Sequence, residues 1–369
     1  MSAFLYLNVD GEKRMKKKFL KVITTVVTVI IAAFLVLVGY LTITEFKPNA
    51  VEQLIVESKG EKTLQINDSI SVLTWNIGYG ALGDNADFFM DGGKMVYTSD
   101  AKRVQENIDA INKEITSLNP DVIMLQEVDI DSKRSNHINE REMISNEQAD
   151  YCHTFANNFK VNYVPYPLPT IGKVDSGLLT LSKYQVSESE RRALPCPFNY
   201  PVRIANLKRC LMVNRVPVEK SDKELVLVNL HLEAYDDGEE KIEQTRMLKE
   251  YLQQEVDKGN YVIAAGDFNQ VFSGIDEDLY PIINENFWKP GIIDTTEFSE
   301  DLHFEVDGRV PSCRLLNEPY DYDNKDNFQH YLIDGYIVSS NIEVESVETL
   351  NLKFRNADHN PVLLKLKLK

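Results

Sequence analysis

Residues 70–77 read ISVLTWNI, and residues 121–128 read DVIMLQEV. Both runs are rich in β-branched and apolar residues, the composition of strands. Between them, Asp100 stands where a helix N-cap belongs, and Val104, Ile108, Ile111, Ile115 and Leu118 recur on one helical face. Asn119-Pro120 ends that helix. Working outward, Gly177–Ser182, Leu207–Val216, Glu224–Leu232 and Tyr261–Ala265 also read as strands, and Glu239–Val256 has helical periodicity. Leu332–Ser339, Glu343–Leu350 and Pro361–Leu368 are the last strand signals. Strands outnumber helices and some follow one another directly. That pattern favours an α+β arrangement of mixed sheets flanked by helices over a purely parallel, doubly wound sheet.

The chain has 369 residues with 43% hydrophobic and 26% charged, so it folds rather than remaining disordered. Its formal charge of −17 argues against a general nucleic-acid coat, which needs basic surface to neutralise phosphates. The charge is uneven. Residues 1–44 carry six basic and two acidic side chains, and the remainder carries 34 basic and 55 acidic, a net −21.

The basic cluster Lys13, Arg14, Lys16, Lys17, Lys18 and Lys21 directly precedes 23 uncharged residues, Val22 to Thr44. As a helix this run reaches about 34 Å, enough to cross a hydrocarbon layer of about 30 Å. It is longer than the apolar region of a cleavable signal, and no small-residue cleavage site follows it. The expectation is therefore residues 1–21 as a cytoplasmic basic N-terminus and 22–44 as a transmembrane signal-anchor. Residues 45–68 read as a stalk and 69–369 as a large extracytoplasmic domain, on the rule that positive charge stays inside. In such a compartment Cys196 and Cys210 are the best-placed pair for a disulfide, with buried free thiols as the equal alternative.

Several strands end on polar residues that packing alone would not select. They are Trp75-Asn76, Gln126-Glu127, Asn229-Leu230-His231, Gly266-Asp267-Phe268-Asn269, Ile333-Asp334 and Ala357-Asp358-His359-Asn360. Singly, each reads as a solvated carboxylate or a structural histidine. Together they offer carboxylates, amides and two imidazoles on rigid strand ends that can converge on one cleft. Oxygen-rich donors suit Mg²⁺ or Mn²⁺ better than Zn²⁺. HExxH, paired CxxC, GxxxxGK[ST] and GxSxG patterns are missing from the sequence, so nucleophilic Ser or Cys chemistry lacks support.

In order and spacing, LTWNI, LQEV, GLLTLSKY, LVNLHL, AAGDFN, YLIDGYIVS and ADHNPVLLKL resemble the endonuclease/exonuclease/phosphatase superfamily across residues 69–369. This is the fold shared by DNase I, apurinic endonucleases, neutral sphingomyelinases and inositol polyphosphate 5-phosphatases. The resemblance implies a DNase I-like four-layer α/β/β/α sandwich of two packed mixed sheets, here preceded by one transmembrane helix. It implies Asn76, Glu127 and Asp358 at a metal, with Glu127 the principal carboxylate. Asp267 and Asn269 would orient and polarise the attacking water and the phosphate. His359 would contact the phosphate or act as base, with Asp334 holding its imidazole. His231 matches the sphingomyelinase, DNase I and 5-phosphatase branches, and Asp175 is a loosely aligned candidate partner for it.

Four functions follow as expectations. They are hydrolysis of a lipid-linked or small phosphodiester near a membrane, an extracellular nuclease on DNA or RNA, an inositol-phosphate-type phosphatase, and a catalytically dead binding module. The filled catalytic positions argue against the last. Arg191, Arg192, Arg203, Lys208, Arg209 and Arg215 are the basic residues a nuclease would use, and read otherwise as solvated surface. Tyr79–Ser99, with two Phe and two Met, is either a rim for an apolar substrate group or a self-packed loop. Within residues 271–330, Asp321-Tyr322-Asp323-Asn324 lacks the Gly and terminal Glu of a calcium-binding EF-hand loop and reads as solvated. No protein partner is implied.

Overall fold

The parity of the β-strands decides which side chains meet. In a computed structural model of the chain, which describes residues 2–369 except Lys59, Asp236, Asp237, Asp276 and Glu277, two units are present, residues 1–45 and 46–369. Lys59 of the expected stalk, Met1 of the expected N-terminal segment and two residues of the 271–330 stretch thus lie outside the described residues.

The first unit is one helix, α1 (Ser2–Ile43). From Lys13 to Ile43 it is long and apolar enough to cross a membrane, and none of its apolar window is buried.

The second unit runs β1 (Val51–Gln53), β2 (Ser69–Asn76), α2 (Ala101–Leu118), β3 (Val122–Asp129), α3 (Glu140–Glu147), β4 (Cys152–Val164) and β5 (Gly172–Ser182). It continues through β6 (Glu188–Ala193), β7 (Cys210–Pro217), β8 (Glu224–His231), α4 (Glu239–Asp257) and β9 (Tyr261–Asp267). The short strands β10 (Gln270–Phe272), β11 (Gly291–Ile293), β12 (Leu302–Glu305), β13 (Cys313–Arg314) and β14 (His330–Tyr331) follow. Three further strands, β15 (Asp334–Ser339), β16 (Ile342–Thr349) and β17 (Val362–Leu368), complete the chain. Among the described residues one sheet has the order β16-β17-β2-β3-β5-β4 and the other β1-β6-β7-β8-β9-β15-β12.

Successive side chains on a strand face opposite sides. On β2 and β3, Ile70, Val72, Val122 and Met124 join Leu225, Leu227, Ile263, Ala265, Tyr336 and Val338 of the second sheet in one buried cluster. The alternate residues Leu73, Trp75, Ile123 and Leu125 pack instead against Val104, Ile108, Ile111 and Ile115 of α2. On the far side, Val226, Val228, Val262 and Ala264 pack against Leu248 and Leu252 of α4. The architecture is the expected four-layer sandwich. The Tyr336 hydroxyl lies 2.7 Å from the carbonyl oxygens of both Val72 and Val362, a polar tie between the sheets.

Two parallel pairs set the direction of the sandwich. β2 pairs with β3 and β8 with β9, and α2 and α4 supply the crossovers that parallel strands require. Asp100 caps α2 as its sequence position predicts, accepting the Arg103 N–H at 2.8 Å.

One expectation meets a different arrangement, two elements go beyond the sequence reading, and the cysteines take one of the two expected states. The expected stalk, 45–68, does not hang free in its described residues: from Phe46 it belongs to the second unit, β1 pairs with β6, and Leu64 is fully buried in the inter-sheet cluster. An edge strand gains hydrogen bonds there that solvent would otherwise supply. β4 and α3 carried no clear periodic signal, because β4 alternates polar and apolar residues through two register shifts and α3 has only two turns. The four cysteines are free. Cys210 lies buried on β7 with Ala156, Leu178 and Met212, while Cys196 stands three residues beyond the paired end of β6, its thiol directed at the Leu207 carbonyl.

Gly266, at φ 150°, admits no side chain, because a Cβ there would lie 1.9 Å from the Leu230 carbonyl oxygen of the adjacent strand. Gly266→Ala is expected to cost on the order of 3 kcal/mol in thermal or urea unfolding. Unchanged stability would mean that β8 and β9 do not approach this closely.

Candidate active site

The inward parity of each strand, carried to its end, delivers the polar residues to one edge of the seam. On β8 the inward series Leu225, Leu227, Asn229 ends at His231; on β9, Tyr261, Ile263, Ala265 ends at Asp267. β15 runs antiparallel to β9, so its first residue, Asp334, stands beside Asp267, and His231 stands beside Asp267 on the other flank. On the facing sheet Asn76 pairs in register with Gln126. β17 is antiparallel to β2, which brings the preceding residues Asp358 and His359 to the same edge.

Glu127 breaks this parity. In a regular strand it would follow Ile123 and Leu125 toward α2. The β3–β5 ladder shifts register between Leu125 and Val128, and Glu127 takes φ 56°. This bulge turns its carboxylate into the cleft, 4.0 Å from His231 Nε2 and 3.4 Å from Asn76 Nδ2.

The contacts are dense. Asn76 Nδ2 donates to Asp267 Oδ2 at 3.0 Å, so this amide bridges the Glu127 and Asp267 carboxylates. The Asn269 N–H donates to Asp267 Oδ1 at 2.8 Å, and Asn269 Nδ2 donates to the Leu232 carbonyl at 3.0 Å. Asp267 Oδ2 lies 3.4 Å from His231 Nε2 and 3.7 Å from His359 Nε2. His359 Nδ1 meets Asp334 Oδ2 at 2.8 Å, and the Trp75 indole donates to the His359 carbonyl at 2.9 Å. Ser312 Oγ accepts the Ile333 and Asp334 N–H groups, fixing the Asp334 backbone.

Burial sets the protonation behaviour. It pushes the Asp267 carboxyl up to about 7; the His359 cation opposes that shift and Asp334 adds to it. Burial likewise pushes Asp358 up to about 7, against His359 and with Glu127. Burial also acts to lower the His359 pKa, but the Asp334 carboxylate outweighs it and holds the imidazole well above its usual range. His231, buried and near Arg209 and the His359 cation, is driven well below it. Cys313, adjacent to His359, is pushed by burial up to about 12 and stays a neutral thiol.

The donor set fits a hard cation. Asp358 Oδ1 and Asp334 Oδ1 are buried and have no hydrogen-bond partner among the described residues. Asp267, Asp334 and His359 form a group whose ligand atoms lie within 4.8 Å of one another, and Glu127 and Asp358 line the same cleft. Crowded carboxylates with unmet oxygens are the environment that a divalent cation with oxygen ligands relieves.

Two expected features fall elsewhere. Asp175 does not partner His231; it accepts from Asn157 Nδ2 at 2.6 Å and meets Lys160 at 3.1 Å on the β4–β5 hairpin of the opposite sheet. Of the basic residues of the middle segment, Arg203 is exposed and Arg192 and Lys208 are half-buried, while the other three are held inside the fold. Arg191 and Arg209 are buried, and Arg215 is bound to Glu224 and Glu255. Arg209 meets Glu233 at 3.3 Å and donates to the His231 carbonyl at 3.1 Å.

Other lining residues carried no sequence signal. Arg134 pairs with Asp129 through two nitrogens, its guanidinium 3.8 Å from the centre of the Tyr79 ring. Trp288, Tyr331 and Leu315 enter from the 271–330 stretch. Of the 79–99 loop, Phe88, Phe89 and Met90 line the cleft, while Tyr79, Ala81, Leu82 and Ala86 are buried beneath it, so the loop is both rim and packed segment. Asp321 accepts from Asp323 N and Asn324 Nδ2 in an exposed turn.

Residues 73–334 match the model of the Endonuclease/Exonuclease/phosphatase family. Among solved structures, the chain is similar to an endonuclease/exonuclease/phosphatase from Beutenbergia cavernae, with 18% identity, 81% of this chain and 72% of that one covered, and a TM-score of 0.56. It is similar to an endonuclease/exonuclease/phosphatase from Bacteroides vulgatus at 16% identity, covering 82% and 100% of the two chains, with a TM-score of 0.51. A functionally unknown conserved protein from Enterococcus faecalis gives 13% identity, 81% and 100% coverage and a TM-score of 0.51. At these identities the structural likeness speaks for the fold. No curated protein sequence matches the chain.

Asp334→Asn is expected to lower the His359 pKa toward the ordinary value near 6.5, read by NMR titration of the imidazole in metal-free protein. The sign also reaches stability. The pair contributes fully below about pH 6.5 and loses its contribution as pH rises through the raised folded pKa of His359. The same His359 titration in the variant and the parent would contradict the pairing.

Proposed function

This chain belongs to the endonuclease/exonuclease/phosphatase family, and we propose that it is a membrane-anchored, Mg²⁺- or Mn²⁺-dependent phosphoesterase that hydrolyses a phosphodiester. The observation that carries this reading is the meeting of Asn76, Glu127, His231, Asp267, Asp334, Asp358 and His359 at one edge of the inter-sheet seam, with buried carboxylate oxygens left unmet. Glu127 and Asp358, with Asn76 beside them, would hold the cation. When bound, it offsets phosphate charge and stabilises the charge that develops at phosphorus, worth several kcal/mol.

The chain's own groups do the rest. Asp267, fixed by Asn76 and the Asn269 N–H, offers Oδ2 to a water and receives its proton as the oxygen attacks phosphorus. His359, kept cationic by Asp334, faces the same point with Nε2 and stabilises the phosphoryl oxygens. His231 lies on the other side of Asp267 Oδ2, placed to contact phosphate or leaving group. A fixed water and fixed donors lower the barrier because little reorganisation accompanies the reaction.

In this reading the apolar part of α1 is the anchor, and the basic cluster Lys13–Lys21 ahead of it favours a cytoplasmic N-terminus with residues 46–369 outside. A tether of this kind suits a lipid-linked or small-molecule diester better than nucleic acid. The net −21 after residue 44 disfavours a polyanion, and Arg209 and Arg215 are engaged by Glu233 and Glu255.

The test uses the purified protein with Mg²⁺ and with EDTA against bis-p-nitrophenyl phosphate, DNA, RNA, inositol phosphates and phosphodiester lipids. Activity with Mg²⁺ is expected to vanish in EDTA. His359→Ala and Asp267→Asn are each expected to lose on the order of 100-fold or more in kcat with the fold intact by circular dichroism. Glu127→Gln is expected to raise the Mg²⁺ concentration needed for half-maximal rate. Metal-independent turnover, or a fully active His359→Ala protein, would overturn the assignment.

A further inference from the structure

Beyond His231 the cleft continues, and its lining changes character. β7 lies next to β8 in one sheet and β4 next to β5 in the other, and the two face each other through Ala156, Leu178, Cys210 and Met212. The inward series of β4 runs Cys152, Thr154, Ala156 and comes to Asn158. The β4–β5 ladder shifts register between Asn157 and Phe159, so Asn158 stands in a bulge and both Asn158 and Phe159 line the cleft. Asn158 is 4% exposed, and its amide has no hydrogen-bond partner among the described residues. A buried amide left unpaired is costly unless a ligand or water meets it.

Two arginines open on the same place. Arg134 donates to Asp129 from Nε at 3.1 Å and from Nη2 at 2.9 Å, and Nη2 also reaches Ser176 Oγ at 3.2 Å. Asp129 is fully buried and accepts from Ser135 Oγ at 2.9 Å, so the guanidinium is fixed from behind. The centres of the Tyr79 and Phe159 rings lie 3.8 Å and 5.8 Å from it. Its Nη1 has no partner among the described residues and is not sealed from the cleft. Arg209 gives Nε to Glu233 and Nη1 to the His231 carbonyl, which sets it against the catalytic edge, and its Nη2 is likewise unpaired among the described residues. The Lys208 N–H donates to the Asn158 carbonyl at 2.7 Å and ties the bulge of β4 to the approach of β7. Phe159 and Leu207 add apolar walls.

Charge decides what such a place holds. Among the acids of the cleft, Glu127, Asp267 and Asp358 gather at the cation site and Asp91 accepts from the Tyr235 hydroxyl. Glu233 is taken up by Arg209 and by the Ala234 and Tyr235 N–H groups. Arg314, which also lines the cleft, spends Nη1 and Nη2 on the carbonyls of Leu315, Glu318, Gly83 and Ala86, and its Nε is sealed in. Arg134 and Arg209 are thus the arginines of the cleft with a nitrogen to spare. Two guanidinium donors with an amide are a donor set for an oxyanion, and their engaged nitrogens hold them ready without reorganisation. The close apolar walls and the net −21 after residue 44 suit a compact group rather than an extended polyanion.

We propose that Arg134, Asn158 and Arg209 form a subsite for a compact oxyanion, a carboxylate or a terminal phosphate, that the substrate carries beside its scissile phosphodiester. This rests on the hydrolase reading above and deepens it: the three residues set specificity, and the preferred ester bears a second anionic group.

The full-length protein with Mg²⁺ is given three 4-nitrophenyl phosphodiesters whose second alcohol carries a 3-carboxypropyl, a 3-phosphonooxypropyl or a neutral 3-carbamoylpropyl chain. Products are separated by chromatography, so cleavage of either ester bond counts. In the parent, kcat/KM for at least one anionic ester is expected to exceed that of the carbamoyl ester about tenfold or more, mainly through KM, and the better of the two identifies the oxyanion. Arg134→Met is expected to bring this ratio to about one. Asn158→Asp removes no hydrogen bond within the protein and puts a carboxylate where that of the ligand would lie, and it is expected to bring the ratio below one. A merely structural loss slows all three esters alike and keeps the ratio, so an unchanged ratio in either folded variant overturns the inference. Anionic esters turned over no faster than the neutral one in the parent, or no turnover of the three while bis-p-nitrophenyl phosphate is hydrolysed, overturn it and leave the hydrolase reading standing. Failure on bis-p-nitrophenyl phosphate and on all three esters overturns both.

Discussion

The hydrogen-bond register across β8, β9 and β15 is the constraint on which the site depends. It sets His231 beside Asp267 and Asp267 beside Asp334, all three pointing into the seam between the sheets. One residue of slip on β9 would send Asp267 toward α4 and put Gly266 or Phe268 in its place, because side chains alternate faces. The apolar residues behind the row enforce the register. Tyr261, Ile263 and Ala265 on β9, and Tyr336 and Val338 on β15, are buried only in this alignment. The core therefore positions the chemistry: the same period-two pattern that buries apolar area aims the polar residue at each strand end.

The sheet of β2, β3 and β17 brings its contribution by direction rather than by composition. β2 and β3 are parallel and end at the seam's edge, whereas β17 and β15 begin there. Asn76 at the end of β2 and Asp358-His359 just before β17 thus share a cleft although they are far apart in sequence. The Trp75 indole holds the His359 carbonyl, and Tyr336 ties the two sheets behind it. Concentrating carboxylates in this buried place is unfavourable for the isolated protein, as the upward shifts of Asp267 and Asp358 express. A bound cation would relieve that cost.

The sequence and the structure part company where the chain departs from strict alternation. Glu127 was legible as a strand-end carboxylate, but its direction depends on a bulge that no period-two pattern records. Asp175 lay close enough in the pattern to suggest a partnership with His231, yet the hairpin places it against Asn157 and Lys160. Residues 46–68 looked polar enough for a linker, and still Leu64 finds the core. Arg134 and Arg209 gave no motif, because a charged residue is marked as a site component only by what folds around it.

By itself the amino-acid sequence determined the α+β class, the membrane-length helix and the identity of the strand-end residues. Those follow from local rules: periodicity, length, capping and the choice of polar residues where packing wants apolar ones. Only the tertiary structure decided that Asn76, His231, Asp267, Asp334 and His359 converge and that Glu127 turns inward. Convergence depends on register and on the direction of strands distant in the chain, and these are fixed by burial of the whole core rather than by any local run of residues.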